Sequence, residues 1–137
     1  YFVNLLKFGG PFLMDFMKQT GSEVILDRFY PCELVYSRAF RRDTDMKAIT
    51  WMDNEFSKLN GKFIICLKKS YEGLVDDVYP DQLPTEKLVE LDGLYREFYL
   101  TTKCESLILH TDDMNLNRQI SDIKQFLFLE EKYSEFS

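Results

Sequence analysis

Three short stretches of this chain are apolar at consecutive positions: Glu23–Asp27 around Val24-Ile25-Leu26, Lys62–Leu67 around Phe63-Ile64-Ile65-Cys66, and Ser106–His110 around Leu107-Ile108-Leu109. Runs of that length, bounded by charged or turn residues, predict strands of a parallel sheet covered on both faces. Between and after them the apolar residues take helical spacing. Leu34, Val35 and Ala39 follow Pro31, and Ile49, Met52, Phe56 and Leu59 follow a cap at Thr44 or Asp45 and stop at Asn60-Gly61. Leu88, Leu91, Tyr95 and Phe98 follow Pro84, and Leu116, Ile120, Ile123 and Leu127 follow the turn at Thr111-Asp112-Asp113. An earlier helix opened by Pro11 is expected to bury Leu13, Phe16 and Met17 and to end at Gly21. Strand then helix, three times over, predicts an α/β protein with a doubly wound parallel sheet in a single domain over residues 1–137. The stretch 68–80 has no periodicity and reads as a loop.

The first of these strands ends on Asp27-Arg28, and Pro31 opens the next helix beside it. Open sheets of this kind bind ligands at the carboxyl ends of their strands. Arg28 presents a planar fork suited to a phosphate, while Asp27 can orient Arg28, take a sugar hydroxyl or sit near a metal ion. The plainer alternative is that the pair only terminates a strand. Arg38, Arg41 and Arg42 likewise admit two readings, a cationic rim or a solvated helix end.

Composition narrows the partners. Of 137 residues, 45% are hydrophobic and 15% aromatic, enough for one packed core. A net charge of -6 and a pI near 4.8 argue against a nucleic-acid or anionic-membrane surface, whereas a mononucleotide needs only two or three local cations. Cys32, Cys66 and Cys104 are odd in number and widely spaced, which points to reduced thiols in the cytoplasm. Cys66 is expected to be buried and inert, and Cys32 accessible near the ligand. One histidine, His110, and no Cys-x-x-Cys argue against structural zinc. Neither a membrane span nor a signal peptide is visible. The chain opens at Tyr1 in mid-pattern, which raises the expectation of residues upstream.

Asp27-Arg28-Phe29, Cys32 and Tyr36-Ser37 together resemble the thymidylate kinase family pattern of Asp-Arg-aromatic, a serine three residues on, and a second aromatic followed by Gln or Thr. Glu33-Leu34-Val35-Tyr36, Asp76 through Leu83, and Tyr95-Arg96-Glu97-Phe98 are similar to the phage and bacterial nucleotide kinases of that family. The resemblance implies a three-layer P-loop nucleotide kinase fold with a parallel sheet, and phosphoryl transfer from ATP to a thymidylate-like deoxynucleoside monophosphate with Mg2+. It places Arg28 on the acceptor phosphate and Asp27 between acceptor and magnesium. Phe29, Cys32, Tyr36 and Ser37 line the acceptor, with Cys32 and Ser37 standing where the family has Ser and Gln or Thr. Lys68 and Lys69 fall in a lid over 68–80. Thr111, Asp112 and Asn115 fall where the family holds adenine, and a simply capped loop fits that turn as well.

The phosphate-wrapping Gly-x-x-x-x-Gly-Lys-Ser/Thr motif does not occur in this sequence, and Gly61-Lys62 lacks its flanking residues. The resemblance therefore implies that the P-loop strand and the second strand of the fold lie upstream, this chain being the carboxyl-terminal two-thirds. Removing a central strand leaves a gap of about 9.5 Å, so a homodimer or the upstream segment is expected to complete the sheet. The alternative function is a non-catalytic nucleotide-binding or protein-interaction module.

Overall fold

The computed structural model describes residues 9–74, 83–113 and 115–134. Among them the chain is mixed α/β, with α1 over Gly10–Thr20, α2 over Tyr30–Ala39, α3 over Met46–Lys58, β1 over Lys62–Leu67, α4 over Thr85–Thr101, β2 over Glu105–His110 and α5 over Leu116–Ser134. The second and third expected strands form. β1 pairs in parallel with β2 in one register, from Lys62 opposite Glu105 to Leu67 opposite His110, with α4 as the connection between them.

Helix boundaries follow local chemistry. Pro31 sits in the first turn of α2, where its missing N–H costs nothing. Asp45 caps α3 by accepting from the Ala48 amide at 3.1 Å. Asn60 at φ 58 turns the chain out of α3, and Gly61 is required next because a Cβ there would lie 2.4 Å from the Phe56 ring. Gly21, at φ 65, closes α1 by donating its amide to the Met17 carbonyl.

The core lies between the helices and one face of the sheet. Met14, Tyr30, Leu34, Ile49, Met52, Ile65, Leu67 and Phe98 are buried together, with Phe56, Phe63 and Ile108 packed against them. Tyr30 is its centre. Phe29, Phe56, Phe63 and Phe98 meet its ring edge-on, and its hydroxyl donates to Asp53 at 2.6 Å. Burial first, and then the hydrogen bond to Asp53, holds the Tyr30 hydroxyl far above its ordinary pKa. Asp53 also accepts from Thr102 Oγ1 and the Lys103 amide, tying α3 to the turn that enters β2.

Four expectations give way. Glu23–Asp27 forms no strand: residues 21–28 are exposed, Ile25 at 98%, and no strand pairs with them among the described residues. An apolar run becomes a strand only when a second backbone takes its N–H and C=O groups, and none does so among the described residues. Cys66 is exposed, not buried, because it points away from the Phe63, Ile65 and Leu67 face toward a side of the sheet where α5 packs chiefly on β2. On α5 the expected inward stripe is open, with Leu116 65% exposed and Ile120 and Leu127 also exposed. On α1 the inward positions are Gly10, Met14 and Met17, leaving Phe16 outside. The inner stripe of α4 is as expected at Leu91 and Phe98. Among the described residues no helix is long and apolar enough to cross a membrane.

Candidate functional site

The polar end of α2 gathers the residues best placed for a ligand. The backbone leaves its extended course at Arg28, which takes φ 69, a left-handed conformation that a non-glycine residue adopts at a cost of order 1–3 kcal/mol. Phe29 then sits extended at the N-cap, and no side chain caps the helix. The positive end of the α2 dipole thus follows Arg28 directly in sequence, in a first turn where Tyr30, Pro31 and Glu33 are buried and Cys32 is half-buried. Cys32, one turn in, is half-buried and accepts from the Tyr95 hydroxyl at 3.4 Å. Burial foremost, and then the Cys32 thiol, pushes the Tyr95 hydroxyl well above its ordinary pKa, with Tyr36 adding to the effect and Arg28 opposing it. Arg28, Cys32, Tyr36 and Tyr95 are therefore electrostatic neighbours, although 67 positions of sequence separate the outer two.

Phe29 and Ser37, also expected in the acceptor site, are turned inward. Phe29 packs its ring on Tyr30 and Phe56, inside the core. Ser37 is buried and donates its hydroxyl to the Leu34 carbonyl of its own helix at 3.0 Å, so it is spent on structure. Tyr36 stacks on Phe40 at 6.0 Å. Asp27 is exposed in the bend before Arg28. Among the described residues no group of three or more His, Cys, Asp or Glu is arranged to hold a metal ion.

The second arginine question is resolved by ion pairs. Arg42 places both terminal nitrogens on the buried Glu33 carboxylate at 2.9 and 3.1 Å, and Arg38 pairs with Glu97 at 2.9 Å. The Glu33 hydrogen bond holds Arg42 firmly protonated. These two arginines brace helix contacts rather than form an open rim.

At the carboxyl ends of β1 and β2 the expected adenine residues form a capped turn. Asp112 accepts from the Lys69 and Ser70 amides, at 2.9 and 3.3 Å, and these bonds lower its pKa. Asn115 accepts from the Arg118 amide at the start of α5, and the Thr111 amide donates to the Leu67 carbonyl at 2.8 Å. Lys68 reaches Thr111 Oγ1 at 3.4 Å, while Lys69 is exposed. The lid expected over 68–80 lies partly outside the described residues. Its first part is held by Tyr71, whose hydroxyl donates to Asp92 at 2.7 Å; burial and that bond push its pKa up to about 12. Asp92, Arg96, Tyr71 and His110 were not singled out by sequence as site residues; the one local signal was the Asp92 to Arg96 spacing of four on a helix, which predicts their ion pair.

A separate cavity of about 280 Å³ opens between α2, α3 and α4, bordered by Arg38, Asp53, Glu97 and Lys103. Of the candidate functional residues proposed from sequence, Arg38 of the possible cationic rim lines it.

Comparison with protein-family models, with curated proteins and with solved structures returns no match. The fold and the two polar clusters define the class: a mixed α/β chain with a two-stranded parallel sheet, an arginine at an uncapped helix start and a second cationic group at the strand ends.

Proposed function

We propose that the uncapped start of α2 binds the phosphate of a deoxynucleoside monophosphate, thymidylate-like, and that the activity served is phosphoryl transfer from ATP to that acceptor. The reading is supported above all by the clustering of Arg28, Cys32, Tyr36 and Tyr95 at a helix end whose dipole favours an anion. Arg28 would grip the phosphate with its fork, and Tyr36 and Tyr95 would bound the nucleoside. Asp27 is the carboxylate this chain would offer to Mg2+, which typically arrives on substrate phosphates and takes one or two protein carboxylates. On this reading β1, α4 and β2 belong to a three-layer P-loop kinase fold.

Transfer would rest on positioning and charge neutralisation, with no covalent intermediate. The Arg28→Lys variant keeps the charge and loses the fork, so dTMP binding measured by calorimetry should weaken about ten- to a hundredfold, with an unchanged melting temperature. A lowered melting temperature with untouched binding would make Arg28 a structural turn residue. Formation of dTDP from ATP and dTMP separates the kinase from a binding module, for which dTMP binds and no dTDP appears.

A further inference from the structure

We propose that the cavity between α2, α3 and α4 binds a small amphipathic carboxylate, an apolar chain or ring that carries one negative charge. The cavity borders the turn from α4 into β2, at the amino end of that strand, whereas Asp112 clamps the loop at the carboxyl end. Its floor is apolar: Leu34 and Val35 from α2, Ile49 from α3 and Phe98 from α4 line it and are buried. At about 30 Å³ for each water-sized group, 280 Å³ takes on the order of nine such groups, enough for a small acid and too few for a nucleotide. A concave apolar floor with a few polar groups converging on it is the usual form of a small-molecule site.

The charged groups lining the cavity are unevenly committed. Arg38 and Glu97 pair with each other at 2.9 Å, which joins α2 to α4 along one side and leaves that side balanced. Asp53 accepts from the Tyr30 and Thr102 hydroxyls on one oxygen and from the Lys103 amide on the other. Lys103 is exposed, and its ammonium has no ion pair or hydrogen bond among the described residues. The side chains of Thr50 and Asn54, on the α3 wall, are uncommitted among those residues in the same way and can donate as well. One unpaired cation among committed carboxylates favours an anionic head group, and the buried floor favours an apolar body behind it.

Octanoate and its uncharged counterpart 1-octanol are the probes, read by methyl resonances of the full chain. Octanoate should shift the methyl groups of Leu34, Val35 and Ile49 saturably and more tightly than octanol does. Lys103→Gln should weaken octanoate about two- to fivefold, the scale of an exposed ion pair, and leave octanol unchanged. Thr50→Trp and Thr101→Trp place a large ring on opposite walls, and at least one should abolish both responses while the melting temperature holds. The proposal is overturned by shifts centred on the open α5 stripe at Leu116 and Ile120, by equal affinity for the two probes, or by an octanoate response that survives both tryptophan variants. The absence of any saturable shift overturns it too. The dTMP titration reads Arg28 separately, so either site can fail without the other.

Discussion

Two apolar runs of this molecule, Phe63–Leu67 and Val24–Leu26, meet opposite fates: Ile65 is 8% exposed and Ile25 98%. β1 has a parallel neighbour along its whole length and a layer of helices on one face, so its backbone groups are bonded and Phe63, Ile65 and Leu67 join the core. Among the described residues the earlier run has neither. Before it the Ser22 amide bonds to Thr20 Oγ1, and after it the Phe29 ring enters the core. Apolar side chains alone do not make a strand, because the backbone must also be satisfied.

The largest test of this contrast is truncation of the two isoleucines. Ile65→Ala should cost about 2–5 kcal/mol in urea unfolding, a core cavity, whereas Ile25→Ala should stay within about 0.5 kcal/mol. Comparable losses would show that the run around Ile25 is packed in solution. Next in size is Gly61→Ala, which forces the Phe56 ring aside at the entrance to β1 and should cost about 1–3 kcal/mol in the same measurement.

A smaller effect distinguishes the two runs by pH. Asp112 clamps the loop after β1, and its folded pKa lies below its ordinary value of 3.8, chiefly through the Lys69 amide. A depressed carboxylate stabilises fully above its unfolded pKa and loses that contribution as pH falls through its folded one. Melting temperature should therefore decline on acidification below about pH 4, and Asp112→Asn should flatten part of that decline. The gentlest probe is thiol labelling of the folded chain. Cys66 should react first, Cys32 more slowly beneath Tyr95, and Cys104 only on unfolding.

Much of the fold was legible because its signals are local. Pro31, Asp45, Asn60-Gly61 and Pro84 mark helix ends through backbone geometry and capping, which depend on a few adjacent residues. The runs at β1 and β2 were legible for the same reason. The candidate site was legible only in part. Arg28, Cys32 and Tyr36 share one short segment, but Ser37 turned inward because the face of α2 it occupies is set by packing on α4. Arg38, Arg41 and Arg42 looked alike in sequence; the buried Glu33 and the facing Glu97 decided what two of them do.

What the sequence by itself determined, then, is where helices are capped and broken and which residues carry charge or a ring; whether an apolar run such as Val24-Ile25-Leu26 becomes a strand was not among these. Tertiary structure alone decided which of those residues meet. Tyr95 reaches Cys32 from α4, and Arg96 reaches His110 from α4 to the end of β2. Such pairs join positions 63 and 14 residues apart, respectively, and depend on how whole elements stack. The same holds for exposure. Ile25, Cys66 and Leu116 are as apolar as the residues around Tyr30, but burial is a property of the neighbours a side chain finds.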